Sequence, residues 1–307
     1  MTIVAPDEAG LARAVALLRA GSVVAFPTET VYGLGADAFS PVAVAEIYRL
    51  KNRPSWNPLI VHVATLGQAR ALAAEWPPAA EELARRFWPG PLTLVVAARG
   101  GGTLAIRIPA HPVALRLLAA SGLALAAPSA NRSESISPTT AEHVVRSLPG
   151  VPLVLDGGPA AFGIESTVLD LTTATPRLLR PGALGLRALR AAIGPIALPD
   201  AEVDDGSARP SPGMGRRHYA PRARLILAKD VTDVDRGGLR EPITILTYEG
   251  HGPGDEVLPA DPQAYAADLY AALHRLDDAG AATILVQEPP ETEEWLAVRD
   301  RLGRAAA

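Results

Sequence analysis

No cysteine occurs among the 307 residues. That excludes disulfides, thiolate metal sites and cysteine nucleophiles together, and it fits a cytoplasmic protein. Lysine is nearly absent as well: of 29 basic residues only Lys51 and Lys229 are lysines. Where a generic cation suffices, the chain uses arginine. A surviving lysine therefore marks a place for a compact ammonium rather than a planar fork. Lys229 reads as a chance survivor, whereas Lys51 stands among other cations. No apolar run reaches the ~18–20 residues of a membrane helix. The opening MTIVAPDEAG has no basic segment ahead of an apolar one, so no signal peptide is expected. A net charge of −4 argues against a bulk polyanion binder, so any nucleotide or nucleic-acid contact must come from a local patch. There is no GxxxxGK[ST] loop, GxGxxG fingerprint, HExxH or GxSxG elbow.

Hydrophobic residues make up 48% of the chain, ample for a sizeable core. Short apolar runs alternate with helix-periodic segments. Asp7 caps a helix over 7–20, and Ser40-Pro41 opens another to about Leu50. SVVAF (22–26), LIVHV (59–63), LTLVVAA (92–98), TLAIRIP (103–109), LALAA (123–127), PLVLDGG (152–158) and STVLDL (166–171) read as strands. Helices are expected over 66–76, 78–87, 139–148 and after His111-Pro112. The pattern predicts an α/β fold, a three-layer sandwich with a mixed sheet, part parallel and part antiparallel, over residues 1–196. Residues 197–222, rich in Pro, Gly and charge, read as a linker or an ordered arm. Residues 223–307 read as a small, compact β-α-β-α domain with its own core, ending in a frayed RAAA.

Polar residues gather at strand ends, where ligands bind in open α/β sheets. After SVVAF comes PTETVYGLG, with threonines at the strand exit and Gly33 and Gly35 suited to a tight turn or to close backbone approach. KNRPSWNP places Lys51, Arg53 and Asn57 ahead of LIVHV, and Pro54 keeps Arg53 out of helical geometry. His62 alternates away from Val61 and Val63. Arg107, between Ile106 and Ile108, is costly to bury without an anionic partner. Ser129 and Asn131 end LALAAPSAN, SISPTT adds Ser137, ESTVLD begins with Ser166 and Thr167, and Arg180 precedes a proline turn. Each alone is a satisfied core residue or a surface turn. Together they describe a cationic, hydroxyl-rich pocket without a covalent nucleophile, suited to an anionic substrate and to nucleotidyl transfer with Mg²⁺ sharing the charge.

In the order PTETVYGLGADA, KNRPSWNPLIVHV, WPGPLTLV, AIRIPAHP, APSAN, SPTTAEHV, DGG, ESTVLDL and LLRPG, these motifs resemble the YrdC family across residues 1–195. SPGMGRRHYAP and the segment after it resemble the long, two-domain form, and the resemblance implies a twisted open mixed sheet with helices on its faces plus a small Rossmann-like α/β C-terminal domain. The resemblance implies a nucleotidyltransferase that converts L-threonine, bicarbonate and ATP, with Mg²⁺, into threonylcarbamoyl-adenylate and pyrophosphate. A tRNA threonylcarbamoyl transferase would consume the product. It further implies a threonine site of Thr30, His62, Arg107, Ala127 and Ser166. The implied ATP site is Arg53, Asn57, Thr103, Ser129, Ser137, Arg180 and Arg222, with Lys51 and Arg53 the catalytic pair and no protein-held metal. Direct tRNA contact is not required. The rival reading is an RNA-binding module using the same basic concavity, against which the net charge and the acidic run Asp200 to Asp205 argue weakly. Three departures stand out: Glu134 where the family often has glycine, Gly215-Arg216-Arg217 before HYAP, and Arg222 after it.

Overall fold

The computed structural model describes residues 2–198, 218–250, 252 and 254–307. The large unit comprises β1 (Thr2–Val4), α1 (Glu8–Arg19), β2 (Val24–Phe26), β3 (Gly33–Asp37), α2 (Pro41–Lys51), β4 (Ile60–His62), α3 (Leu66–Leu72) and α4 (Pro78–Phe87). It continues with β5 (Leu92–Ala97), β6 (Thr103–Arg107), α5 (Pro112–Ser121), β7 (Leu125–Ala126), α6 (Ala141–Ser147), β8 (Leu153–Leu155), β9 (Thr167–Asp170), β10 (Arg177–Arg180) and α7 (Leu186–Ile193). The small unit holds β11 (Arg224–Ala228), β12 (Ile243–Tyr248), β13 (Glu256–Leu258), α8 (Pro262–Asp278), β14 (Thr283–Gln287), a 3₁₀ turn (Glu293–Trp295) and α9 (Leu296–Ala306).

Local chemistry sets the helix ends. Asp7 accepts from the Gly10 amide, Ser40 from Ala43, and Asn52 closes α2 in the left-handed conformation. Helix α3 stops at Leu72, short of the expected residue 76, because the Ala74 amide bonds the Ala97 carbonyl of β5 instead of continuing the helix. The expected glycine turn at Gly33 and Gly35 is a strand. Gly35 lies opposite Val24, and a Cβ there would sit 2.7 Å from the Phe26 ring, so this glycine serves close packing.

The large sheet is mixed, in the order β1-β8-β2-β3-β7-β4-β6-β5-β9-β10. Strands β4 and β6 are parallel, with His62 opposite Arg107. The small sheet, β11-β14-β12-β13, is parallel throughout. Its core is shared: Val31, Ile136 and Ile164 of the large unit pack with Tyr219, Tyr270 and Leu302. The two units thus meet in a common apolar seam, while the large unit keeps further clusters of its own. Gly163, at φ 66°, lets the α8 backbone approach so closely that a Cβ would meet the Ala267 carbonyl at 2.2 Å. His143 of α6 stacks on His274 of α8 with 3.8 Å between centroids.

Most of the expected linker, residues 199–217 with its acidic run and Gly215-Arg216-Arg217, lies outside the described residues. Its described end is not loose. His218 and Tyr219 are buried, and the His218 amide donates to the Arg304 carbonyl at 3.0 Å. The expected fraying of RAAA is corrected by that bond and by burial of Ala305. Among the described residues no helix is long and apolar enough to cross a membrane.

Candidate active site

A cavity of about 50 Å³ opens where β4 and β6 end and where β2, β7 and β10 give way to loops. Thr30, Arg53, His62, Arg107, Ala127, Ser129, Ser166 and Arg180 line it, eight of the residues singled out in the sequence. Thr30 is fixed by a tight hydroxyl turn. Thr28 Oγ1 accepts from the Thr30 and Val31 amides at 3.2 Å, donates to the Val31 carbonyl at 2.6 Å, and lies 2.8 Å from Thr30 Oγ1.

Arg107 donates from Nε to the Gly90 carbonyl (3.1 Å), from Nη1 to Thr30 Oγ1 (2.9 Å) and from Nη2 to Glu29 Oε1 (2.6 Å). Its anionic partner is therefore Glu29, which sequence reading had missed inside PTETVYG. A guanidinium has five N–H groups, so two remain for a ligand. Beside it, burial drives His62 down to about 3, reinforced by the Arg107 charge. The imidazole is neutral at physiological pH.

Lys51 ends α2 almost wholly buried. Its Nζ donates to the carbonyls of Ser129 (2.6 Å) and Asn131 (2.5 Å), pinning the APSAN loop. One N–H of the ammonium remains. Burial, then Arg53, push its pKa well below the usual lysine range, and Glu165 opposes them. Arg53 donates from Nη2 to Asn57 Oδ1 (2.6 Å) and the Pro58 carbonyl (2.9 Å); burial lowers it to about 10. Asn57 thus orients Arg53 rather than facing the cavity. Arg180 holds the Ser166 carbonyl from Nη2 at 2.9 Å, and Thr93 Oγ1 lies 2.8 Å from Ser166 Oγ.

Other assignments fall outside the cavity wall. Ser137 is buried behind it with its hydroxyl committed to Glu165 Oε1 at 2.5 Å. Thr103 begins β6 in an exposed hairpin, at the opposite end of the strand from Arg107. The Arg222 side chain is 74% exposed and pairs with Asp277 and Asp278 on α8. The reason is local: an acidic pair one helix away captures Arg222 before it can turn inward.

Among the polar and aromatic lining residues, Glu165, His218 and Tyr219 were not singled out beforehand, and Thr28 was noted only as a strand-exit threonine. HYAP had been quoted for Arg222 alone. Glu165 had a signal, since four cations near one pocket call for counter-charge. Burial raises its carboxyl, but Arg301 and then Arg180, with the Ser137 hydrogen bond, carry it down to about 2. Among the described residues, Glu29 and Glu165 are the carboxylates set among Lys51, Arg53, Arg107 and Arg180, a largely cationic lining suited to anions.

A mixed open sheet with a cationic pocket sunk among its strand ends, closed on one side by His218 and Tyr219 ahead of a small parallel α/β unit, defines an anion-binding α/β protein of two units. The Sua5/yciO/yrdC family model, described as telomere recombination, matches residues 16–182. The model for the threonylcarbamoyl-AMP synthase C-terminal domain matches residues 185–307. The chain belongs to this family. A threonylcarbamoyl-AMP synthase of Bacillus subtilis is 42% identical, covering 98% of this chain and 94% of that protein. One from Pyrococcus abyssi is 43% identical over 95% and 93%. The crystal structure of P. abyssi Sua5 complexed with L-threonine superposes with a TM-score of 0.92 at 38% identity, covering 100% of this chain and 98% of that one.

Proposed function

We propose that the chain is an L-threonylcarbamoyladenylate synthase, forming threonylcarbamoyl-AMP and pyrophosphate from L-threonine, bicarbonate and ATP for tRNA threonylcarbamoyladenosine modification. The observation that carries this is Arg107, held by three hydrogen bonds yet keeping two N–H groups at the cavity beside a neutral histidine. An amino-acid carboxylate fits those two donors bidentately. Thr30, His62, Ala127 and Ser166 then surround the side chain and amine of threonine, as the relationship to the threonine-bound P. abyssi protein supports. Neutral His62 adds no positive charge to repel the amine.

The opposite wall, Arg53, Ser129 and Arg180 with the remaining Lys51 donor, takes the triphosphate and bicarbonate. The threonine amine attacks bicarbonate-derived CO₂, giving a carbamate as its proton leaves to solvent. A carbamate oxygen then attacks the α-phosphorus, the bond to the β-phosphate oxygen breaks, and pyrophosphate departs. The protein supplies no covalent intermediate; it holds three anions together against their repulsion. Mg²⁺ accompanies the triphosphate and spreads its charge. Among the described residues no three His, Asp or Glu side chains gather as a ligand set, so the phosphate oxygens would hold the ion.

The RNA-module reading is weaker. Exposed Arg49, Arg70, Arg85, Arg86, Arg187 and Arg190 each pair with a glutamate, leaving little charge for an RNA backbone. A cytoplasmic location, with the product passed to a tRNA threonylcarbamoyl transferase, completes the reading. The test is pyrophosphate release with ATP and Mg²⁺, omitting threonine and bicarbonate in turn. Release that needs both supports the reaction; none, or ADP with phosphate, discards it.

A further inference from the structure

The hydroxyl turn behind Thr30 fixes the direction of a proton. Thr28 Oγ1 donates to the Val31 carbonyl at 2.6 Å, and a carbonyl can only accept. A threonine hydroxyl carries one proton, so Thr28 has none left for Thr30. The 2.8 Å contact between Thr28 Oγ1 and Thr30 Oγ1 is therefore donated by Thr30. Arg107 Nη1 donates to Thr30 Oγ1 at 2.9 Å and occupies one of its two lone pairs. Thr30 thus lines the cavity with its proton spent and one lone pair remaining. Thr28 and Thr30 are 2% and 1% exposed, so bulk water does not reorient either hydroxyl.

We infer that Thr28 is a positioning residue that makes Thr30 an acceptor only, so that Thr30 reads an N–H of the substrate α-amine. This rests on the reading that the cavity takes L-threonine. The substrate carboxylate sits on the two remaining Arg107 donors, and Arg107 itself touches Thr30. The amine, carried on the carbon next to that carboxylate, is the group brought to the lone pair. A neutral amine that donates one N–H to Thr30 keeps its own lone pair for bond formation with CO₂. An oxygen acceptor in the same place meets lone pair against lone pair, and a buried site built for a donor rejects the analogue lacking it. Thr28 therefore acts on selectivity and on amine orientation through Thr30.

The experiment measures dissociation constants of L-2-aminobutyrate and 2-oxobutyrate by calorimetry on the full chain, for wild type, Thr28→Val and Thr28→Ser. The two probes share a carbon skeleton and a carboxylate; one presents an amine and the other a carbonyl oxygen beside it. Wild type should prefer the amino acid by at least about 30-fold, and a smaller preference overturns the proposal. Thr28→Val keeps the shape of the side chain but removes the acceptor, so the Thr30 proton turns to the cavity. It should narrow the preference by at least about fivefold, the scale of one net hydrogen bond. Thr28→Ser restores the hydroxyl and should stay within about threefold of the wild-type preference, a further loss counting against the proton order. A merely structural role for Thr28 weakens both probes together and leaves their ratio unchanged. So does a Thr30 that reads the threonine β-hydroxyl, which neither probe has, and an unchanged ratio overturns the proposal. If Thr28→Val does not fold, Thr28→Ala is read on the same limits, and the wild-type preference stands as a test by itself. Wild type that binds L-threonine but releases no pyrophosphate refutes the proposed reaction and leaves this comparison standing; wild type that binds no L-threonine refutes both.

Discussion

Arg107 and Glu29 form a buried ion pair at the cavity, Nη2 to Oε1 2.6 Å, with 4% and 7% of their side chains exposed. The pair explains how a strand arginine between two isoleucines is tolerated. It also makes the arginine rigid, because three of its donors are spent before any ligand arrives. Among the described residues Glu29 Oε2 has no hydrogen-bond partner, and Oε1 is held by Arg107.

Arg107→Ala should therefore do two things. Threonine affinity should fall roughly 100-fold while ATP affinity stays within about threefold, from the loss of a charged, bidentate contact. The stranded Glu29 should lower stability by ~3–5 kcal/mol, the range for breaking a buried pair. Calorimetry with each ligand and a denaturant titration check both. Equal losses for threonine and ATP would remove Arg107 from the threonine side.

Lys51 tests the ammonium argument. Its Nζ serves two carbonyls 78 and 80 residues away in a site 1% exposed, so arginine's planar fork has no room. Lys51→Arg should behave as a disruptive change, with pyrophosphate release down about 10²–10³-fold, the scale for losing one preorganised donor. Lys51→Met should in addition cost ~1–3 kcal/mol through the stranded carbonyls. Turnover close to wild type in Lys51→Arg would show that any cation suffices.

Acid should destabilise the protein, and the sign follows from the shifts. His62 and His143 are both carried down to about 3, chiefly by burial, from an ordinary value near 6.5. Both bind protons more readily unfolded than folded, so stability is lost as pH falls from 6.5 towards 3. The slope is at most ~1.4 kcal/mol per pH unit for each histidine. Glu165, carried down to about 2, contributes stability that is present above 4.5 and lost as pH falls through 2. Urea midpoints between pH 7 and 5 should fall steadily, and His62→Gln with His143→Gln should flatten that fall. An unchanged slope in the double variant would mean that neither histidine is held neutral.

Glu134 stands at φ 69°, where L-residues are disfavoured, and its carbonyl accepts from the Ala220 amide at 2.8 Å. The position wants glycine for backbone reasons. Glu134→Gly should stabilise the chain by about 1–2 kcal/mol, set by the left-handed penalty, raising Tm by roughly 2–4 °C per kcal/mol. A lower Tm would mean that the Glu134 side chain contributes more than its backbone strain takes away.

Much of this was legible in advance because it is local. Capping residues marked the starts of α1 and α2, and continuous apolar runs marked β2, β4 and β5. Family motifs brought eight lining residues to one cavity. Strand β3 was misread because glycine is the residue of both turns and close packing; only the Phe26 ring opposite Gly35 distinguishes them. Thr103 and Arg222 were drawn to the site by their place in the motif order, which says nothing of which end of a strand faces inward or which acids lie nearby.

The sequence by itself determined the class of fold, the cations and hydroxyls of the pocket, and the family, since each is written in short segments with strong local preferences. Counter-charge is different. Glu29 meets Arg107 across 78 residues and Glu165 meets Arg301 across 136. Such pairings are decided only when the chain closes, because the cost of burying a charge depends on what happens to lie within hydrogen-bond reach. Tertiary structure therefore decided how the pocket is neutralised, and packed the small unit behind Glu165 of its wall.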